Sequence, residues 1–211
     1  MPRLIPLTQA GNHPLNPNSM RLRIHRSDGK IGTYRQDIAS RAKMLLKRID
    51  PRTLFSSGPI VIGVLNPFSV INSDEVCCIE VETDHAVELL LPEHVDRVEK
   101  LAGREEYEAL LARQWPRWMS FRKNQDGDLF EALIEVSLRN GESIFLRVTG
   151  QVSKSSKLVD AFFHPPVIMA TYPPNGTLYI NTRCIVRSRV YHSRQQVDYP
   201  DGLWFAEADD I

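Results

Sequence analysis

The first regular pattern in the chain is an alternation of apolar and polar residues that begins near Met20. Leu22 and Ile24 alternate with arginines and a histidine, and the alternation returns over residues 31–34. Asp28-Gly29 stands between the two stretches, and its glycine readily adopts the positive φ of a tight turn. The pattern therefore predicts a β-hairpin.

The next pattern is helical, because apolar residues recur at spacings of three and four. Asp37 is a candidate N-cap, and Asp50-Pro51 is a candidate stop signal. A second hairpin is predicted after this helix, with strands over 60–65 and 70–82. The helical stripe that we expect to be buried consists of Ile38, Ala42, Leu45, Leu46 and Ile49.

The same succession returns after residue 130. Residues 133–148 predict a hairpin around Asn140-Gly141, a dipeptide typical of type I′ turns. Residues 151–163 have helical spacing, and strands are predicted over 167–172 and 178–190. The buried stripe predicted for this second helix consists of Leu158, Val159 and Phe162.

We interpret the succession as an internal duplication of a β-β-α-β-β unit of about sixty residues, a size at which one unit alone is marginally stable. The predicted fold class is α+β, with two units sharing a core about a pseudo-twofold axis. Accidental recurrence of a common order is the alternative. The positions that align are Asp28-Gly29 with Asn140-Gly141, Pro59-Ile60-Val61-Ile62 with Pro166-Val167-Ile168-Met169, and Ile71-Asn72-Ser73 with Ile180-Asn181-Thr182.

The stretch between the two units has a different composition. Pro92 and Gly103 bracket a predicted helix, and a second helix is predicted over 104–115 with Pro116 as its end. Twelve carboxylates stand between residues 74 and 108 against three basic residues, which predicts a solvated helical arm. The stripe predicted for the first of these helices consists of Val95, Val98 and Leu101.

An aromatic and basic cluster follows the second predicted helix. Trp115 and Trp118 stand beside Arg113, Arg117 and further basic residues. Such a cluster packs its rings beneath the aliphatic stems of its cations, or it anchors an interface. We take Trp115 and Trp118 as candidate interface anchors, with simple packing as the alternative. The predicted domain organisation is an irregular N-terminal arm over 1–19, a first unit over 20–84, a helical acidic insert over 85–128, a second unit over 129–194 and an acidic tail over 195–211.

Charge is balanced over the whole chain, with 26 basic and 26 acidic residues, but it is segregated along it. Residues 21–52 hold ten basic residues against three acidic ones, and residues 147–194 hold seven against one. These basic stretches could bind a macromolecule, or the acidic insert and tail could neutralise them within the fold. The candidate macromolecule-binding residues are Arg21, Arg23, Arg26, Arg35, Arg183, Arg187 and Arg189.

The sequence contains no phosphate-binding glycine loop, nucleophile elbow or zinc-protease motif. Cys77, Cys78 and Cys184 have neither disulfide-framework nor zinc-knuckle spacing, and no apolar run is long enough to cross a bilayer. We therefore expect a cytoplasmic protein without a signal peptide, a cofactor or a metal. We also expect no catalytic activity, with an enzyme of unknown class as an alternative.

One part of the chain resembles a known type of domain. The segment with Ile71-Asn72, Val76 and Ile79-Glu80, together with the hairpin over 134–146, looks like the small β-rich regions of LytTR-type DNA-binding domains and of short flagellar-operon proteins. About forty residues carry the resemblance, and the insert interrupts them. The resemblance implies a regulatory or binding role and identifies no DNA-contacting residue.

The function predicted from these observations is that of a non-catalytic binding or assembly module whose partner is a protein. A regulator that binds nucleic acid through the basic faces of both units is the alternative. The patterns leave the identity of the partner and the oligomeric state open.

Overall fold

A computed structural model describes residues 8–9, 19–63, 68–120, 129–151 and 162–193. The described part of the chain is mixed α+β with far more strand than helix, and its strands form one ten-stranded sheet and one two-stranded sheet. None of the helices in these ranges is long and apolar enough to cross a membrane.

The first half of the chain contains β1 (Thr8–Gln9), β2 (Met20–Arg26), β3 (Ile31–Gln36), α1 (Ala39–Leu46), β4 (Ile60–Gly63), β5 (Phe68–Ile71), the 3₁₀ turn η1 (Ser73–Glu75) and β6 (Val76–Thr83). The second half contains β7 (Val95–Lys100), α2 (Arg104–Ser120), β8 (Leu129–Leu138), β9 (Ser143–Gln151), β10 (Val167–Tyr172), β11 (Gly176–Asn181), the 3₁₀ turn η2 (Thr182–Cys184) and β12 (Ile185–His192).

The strand order in the large sheet is β1-β3-β2-β6-β11-β10-β7-β9-β8-β12, with β4 and β5 apart as the two-stranded sheet. His25 on β2 hydrogen-bonds Glu142 in the β8–β9 turn. Five strand steps separate β2 from β9, roughly 24 Å in a flat sheet. The contact therefore requires a strongly curled sheet, and we call its inner side the concave face and its other side the outer face.

Local turn chemistry produces the hairpins that the sequence predicts. Gly29 has a φ of 78° in the β2–β3 turn, and Gly141 has a φ of 85° in the β8–β9 turn. Leu22 and Ile24 are buried on the outer face, whereas Arg21 and Arg23 point to the other side of the strand. Both hairpins thus carry the alternation that the sequence indicates.

Apolar layers cover both faces of the sheet. The concave face is filled by side chains of the second half, such as Leu146 and Val136, together with Leu178 of β11. On the outer face, α1 packs over the first half, where Ala42 is buried, and α2 packs over the second half through Tyr107.

The prediction of a helix between Pro92 and Gly103 is wrong, because this segment forms strand β7. Val95 pairs with Gly150 and Arg97 with Thr149, so a β-bulge lies between them. The bulge brings Val95 and Val98 to buried positions although they are three residues apart. A strand with a bulge therefore imitates the apolar spacing of a helix.

Three other element boundaries differ from the prediction. Pro116 lies inside α2 and does not end it. Asp37 does not cap α1, because Ile38 is the N-cap residue and the Asp37 carboxylate pairs with Arg35. The 3₁₀ turns η1 and η2 interrupt the long strands predicted to end the two units. Within the predicted stripe of α1, Ile38 is exposed, while Leu45, Leu46 and Ile49 are partly buried against the outer core.

The structure does not confirm the pseudo-twofold arrangement of two repeats. β8 pairs with β9 and β12 as β2 pairs with β3 and β6. However, β10 and β11 lie inside the large sheet, whereas β4 and β5 stand apart from it. The whole predicted tail, most of the predicted arm and the stripe residues Leu158 and Val159 fall outside the described residues. Phe162 is buried.

Candidate functional site

A cluster of charged side chains occupies the concave face where β2, β6 and β7 approach the β8–β9 turn. Its centre is Glu80, whose side chain is 5% exposed. Glu80 accepts hydrogen bonds from Arg23 Nη1 at 2.9 Å and from Lys100 Nζ at 2.5 Å. Glu82 pairs with Arg21 and Arg23 at 2.9 and 2.8 Å. We call Arg21, Arg23, His25, Glu80, Glu82, Lys100 and Glu142 the concave cluster.

Strand register brings these residues together. Arg21, Arg23 and His25 stand opposite Glu82, Glu80 and Cys78, respectively, in the β2–β6 pair. Directly opposed residues share one face of a sheet, so the arginines and carboxylates of the two strands meet. Lys100 reaches Glu80 from across the curled sheet and also lies 5.1 Å from the centroid of the Tyr172 ring.

His25 connects the cluster to the other half of the molecule. Its Nδ1 donates a hydrogen bond to Glu142 at 3.0 Å, and its Nε2 lies 3.8 Å from Glu80. Burial lowers the pKa of His25, but hydrogen bonds and charge from Glu142 and Glu80 outweigh it and raise the pKa to about 9. The imidazole is therefore a buried cation at neutral pH.

The pKa values of two carboxylates in the cluster shift in the opposite direction, downwards. Burial raises the pKa of Glu80, but hydrogen bonds and charge from His25 and Lys100 lower it to about 2. The hydrogen bond from His25 is the main reason that the pKa of Glu142 also falls. With His25 protonated, the four cations of the cluster exceed its three carboxylates by one charge.

Among the described residues, His25, Cys78 and Glu142 are the group whose donor atoms could hold a metal ion, since these atoms lie within 4.8 Å of one another. Imidazole, thiolate and carboxylate together suit a zinc-like ion. However, Lys100 and Arg23 already surround the adjacent Glu80, and burial raises the pKa of the Cys78 thiol far above its usual range. The geometry supports a structural ion-pair cluster, and Cys78 is not an activated nucleophile.

The predicted arginines are not gathered on one face. Arg21 and Arg23 face the concave cluster, and the pairing from β7 to β12 turns Arg187 and Arg189 to the outer face. Arg189 lies 3.7 Å from Glu135, and Arg183 lies 3.6 Å from Asp74. Arg26 pairs with Asp28, Arg35 pairs with Asp37, and Arg187 is exposed. Glu80 and Glu82 belong to the predicted acidic stretch. They thus form ion pairs with two of the predicted binding residues, Arg21 and Arg23.

Trp115 and Trp118 form an aromatic group with Tyr191 of β12. The Trp115 ring lies edge-on to Trp118 at 6.5 Å and to Tyr191 at 5.3 Å between centroids. Trp118 and Tyr191 pack against the core beneath α2, whereas Trp115 is 40% exposed. The pair therefore joins α2 to the sheet and leaves one face of Trp115 in solvent.

The β4–β5 hairpin carries a group of three exposed apolar side chains that the sequence patterns above did not identify. Val61 stands opposite Val70 and Gly63 opposite Phe68, so Val61, Phe68 and Val70 share one side. These side chains are 42%, 54% and 58% exposed, whereas Ile60, Ile62 and Ile71 on the other side pack against the core. We call Val61, Phe68 and Val70 the hairpin face. Its signal in the sequence was the unbroken apolar run of β4, together with a β5 in which only Ser69 is polar, since strands apolar on both sides are typical of two covered faces.

No family model, curated protein or solved structure matches the chain. The resemblance to LytTR-type domains stays a prediction that these comparisons do not support.

Proposed function

We propose that the chain is a binding and assembly module, made of two related units, that pairs with a second copy of itself through the edge of the β4–β5 hairpin. The observation that carries this proposal is an exposed apolar face on a two-stranded sheet. An isolated two-stranded hairpin is marginally stable in water, and contiguous exposed apolar residues are typical of interaction sites.

The strand pairings support the relation between the two units. β1 pairs with β3 as β7 pairs with β9, and β2 joins β3 and β6 as β8 joins β9 and β12. Ser27 N–H donates to Glu75 O, and Arg139 N–H donates to Cys184 O at the corresponding position. Apart from the two hairpins, these similarities join residues that are far apart in the sequence, so a common local sequence pattern does not explain them.

The proposed partner is inferred from a strand pairing that β11 makes and that its counterpart β5 lacks among the described strands. In the large sheet β11 is flanked by β6, with Ile180 opposite Cys78 and Leu178 opposite Glu80. By the alignment of the units, β5 corresponds to β11 and β12 to β6. Among the described strands, β5 pairs only with β4, and β12 pairs only with β8. Pairing of β5 with β12 of another copy would supply the missing contact.

A twofold dimer satisfies both open edges at once, because each copy contributes one β5 and one β12. Adding a strand to an exposed edge gives affinity through main-chain hydrogen bonds and specificity through alternate side chains. The register that corresponds to β11–β6 sets Ser69 opposite Arg189. Val186 of β12, which is 70% exposed, lies beside the same edge and would be shielded in the dimer.

Disulfide trapping tests this arrangement. The Ser69→Cys/Arg189→Cys variant should give a covalent dimer in non-reducing electrophoresis, because facing residues on paired strands bring their Cβ atoms within about 5.5 Å. The Ser57→Cys/Arg189→Cys variant is the matched control with an exposed cysteine outside β5. The three native cysteines are buried and should not contribute.

Two outcomes would contradict the proposal. A link within one chain would mean that β5 and β12 close the sheet of a monomer. Absence of any link, with a monomeric mass in light scattering at high protein concentration, would leave the face for a different protein.

In the assembled state, Val70→Lys should convert the dimer to monomer because an edge lysine blocks strand addition, whereas Met44→Ser on exposed α1 should not.

Nucleic-acid binding receives less support. A nucleic-acid site needs its cations on one contiguous surface, so that several phosphates are contacted together. The strand register turns Arg23 and Arg189 to opposite faces of the sheet, and carboxylates pair with both. Protein assembly is therefore the function we favour.

A further inference from the structure

A groove lies on the outer face of the sheet, away from the concave cluster. It has a volume of about 730 Å³. One wall is the C-terminal end of α1 with the turn that follows it, and the other is the extended segment 85–90. Tyr179 of β11 also lines it. The volume falls within the usual range of sites for small organic molecules.

The inner lining of the groove is apolar. Leu46 and Ile49 contribute from α1 and its turn, and Val87 and Leu89 contribute from the extended segment. All four are partly buried against the same core. Tyr179 is 1% exposed, and burial raises the pKa of its hydroxyl to about 12, so it stays a neutral phenol. A ligand in this groove would cover apolar surface along its length.

Cations stand around this apolar lining. Lys43 and Lys47 are four residues apart, which sets them on one side of α1, and Arg52 follows in the turn. All three are exposed, and within the described ranges none of them forms an ion pair. Uncompensated cations beside an apolar groove favour a ligand that carries negative charge.

Two carboxylates line the same groove, and only one of them opposes an anion strongly. Asp50 Oδ1 accepts a hydrogen bond from Arg52 N–H, and Asp50 Oδ2 accepts one from the Thr53 hydroxyl. Both Asp50 oxygens are thus engaged in the turn. Glu88 is exposed and forms no ion pair in the part of the chain that the structure describes, so its charge is the main repulsive one.

His85, which also lines the groove, has a buried polar atom without a partner among the described residues. Its backbone N–H donates to the Thr83 hydroxyl, but its side-chain Nε2 is buried without a hydrogen-bond partner among the described residues. A buried polar atom without a partner is costly, so a ligand whose polar group reached Nε2 would gain a hydrogen bond.

We propose that this groove binds a small amphipathic organic anion, with its apolar body along Leu46, Val87 and Leu89 and its carboxylate or phosphate head near Lys43, Lys47 and Arg52. The apolar lining disfavours a purely ionic ligand such as free phosphate. The three cations disfavour a cationic amphiphile. This site uses residues other than the hairpin face and does not depend on dimerisation.

Isothermal titration calorimetry with three probes tests the chemistry of the site. Decanoate supplies both an apolar body and an anionic head, acetate supplies the head alone, and decyltrimethylammonium supplies a similar body with a cationic head. All probes are used below their micelle concentrations. We expect saturable binding of decanoate at one site per chain, with acetate and decyltrimethylammonium at least about tenfold weaker.

Charge variants then locate the site. Lys47→Ala/Arg52→Ala should weaken decanoate binding at least about tenfold, since hydrogen bonds to charged groups are lost. Glu88→Gln should tighten it, because a repulsive charge is removed. Arg113→Ala, at an exposed cation of α2, is the matched control and should change nothing. A gain of affinity in Glu88→Gln cannot arise from misfolding.

Three results would overturn the inference. Equal binding of decyltrimethylammonium would mean that only the apolar surface is recognised. Equal binding of acetate would mean a simple ion site. Unchanged decanoate affinity in both charge variants, with folded protein shown by circular dichroism, would place the ligand elsewhere.

Discussion

Burial of His25 and the carboxylates around it have opposite effects on the pKa of its imidazole. A buried imidazole is ordinarily neutral, yet Glu142 and Glu80 keep this one charged. Its folded-state pKa of about 9 lies above the ordinary 6.5, so protonated His25 stabilises the native state. This contribution is fully present below pH 6.5 and is lost as the pH rises through about 9.

We therefore expect the stability of the protein to fall between pH 6.5 and pH 9, and His25→Gln to remove that part of the dependence. Urea unfolding of both proteins at pH 6 and pH 9.5 measures it. A wild-type-minus-variant difference that is equal at the two pH values would contradict the role of His25. NMR titration of the imidazole provides an independent value for its pKa.

A substitution of Glu80 tests the contribution of a carboxylate to the concave cluster. Its side chain is 5% exposed and faces three basic groups, so Glu80→Gln leaves Arg23 and Lys100 without their shared anion. We expect a loss of about 3 kcal/mol of unfolding free energy, as is usual when one member of a buried pair is removed. Glu99→Gln, which removes a partner of the exposed Arg97, should cost about 1 kcal/mol or less. Similar losses in the two variants would contradict a special role for the buried cluster.

At the scale of elements, the hairpins β2–β3 and β8–β9 were predictable because a two-residue turn signal and alternating side chains lie in one short stretch. β7 was not predictable from its own residues. Val95 and Val98 have helical spacing, and only the pairing of β7 with β9 and β10 makes the segment a strand. Neighbouring strands supply that information, and they come from distant parts of the sequence.

The bulge in β7 depends on a close approach to Gly150. A Cβ at Gly150 would lie 2.9 Å from Val95 Cα and would also meet the backbone oxygen of His94. Gly150→Ala should therefore push β7 away from β9 and cost about 1 to 3 kcal/mol. Ser143→Ala on the exposed start of β9 should stay within about 0.5 kcal/mol. Denaturant unfolding measures both, and a neutral Gly150→Ala would show that the strands separate freely.

The candidate site was only partly predictable for the same reason. The sequence indicated segregated charge and included internal neutralisation among its interpretations. Which carboxylate meets which arginine follows from register, since Arg23 and Glu80 are 57 residues apart and meet only when β2 pairs with β6. The exposure of Phe68 likewise depends on where the whole β4–β5 hairpin packs. Neither the contact between Arg23 and Glu80 nor the exposure of Phe68 follows from composition.

At the scale of the whole molecule, β6 and β11 join the two halves in one sheet. Asn181 reinforces this junction, because its fully buried amide donates to Val76 O and its Oδ1 accepts from Arg183 N–H. Asn72, at the aligned position, is exposed, and its Oδ1 accepts from Asp74 N–H. The two asparagines thus form a natural matched pair.

Asn181→Ala should cost about 1 to 3 kcal/mol, since it removes two hydrogen bonds, one to the buried Val76 carbonyl and one from the Arg183 backbone N–H. Asn72→Ala should cost about 1 kcal/mol or less in the monomer, as is typical for the loss of an exposed cap. Thermal or urea unfolding at low protein concentration distinguishes the two. Equal effects would mean that the junction does not depend on the Asn181 side chain.

The β6–β11 junction can form only late in the synthesis of the chain. β6 ends at Thr83, but its partner β11 begins only at Gly176. At translation rates of 5 to 20 residues per second, roughly 5 to 20 seconds pass between the synthesis of the two strands. During that time the backbone edge of β6 that pairs with β11 has no partner on the nascent chain. Factors that act on emerging chains at the ribosome would therefore have the most effect on this protein before residue 181 appears.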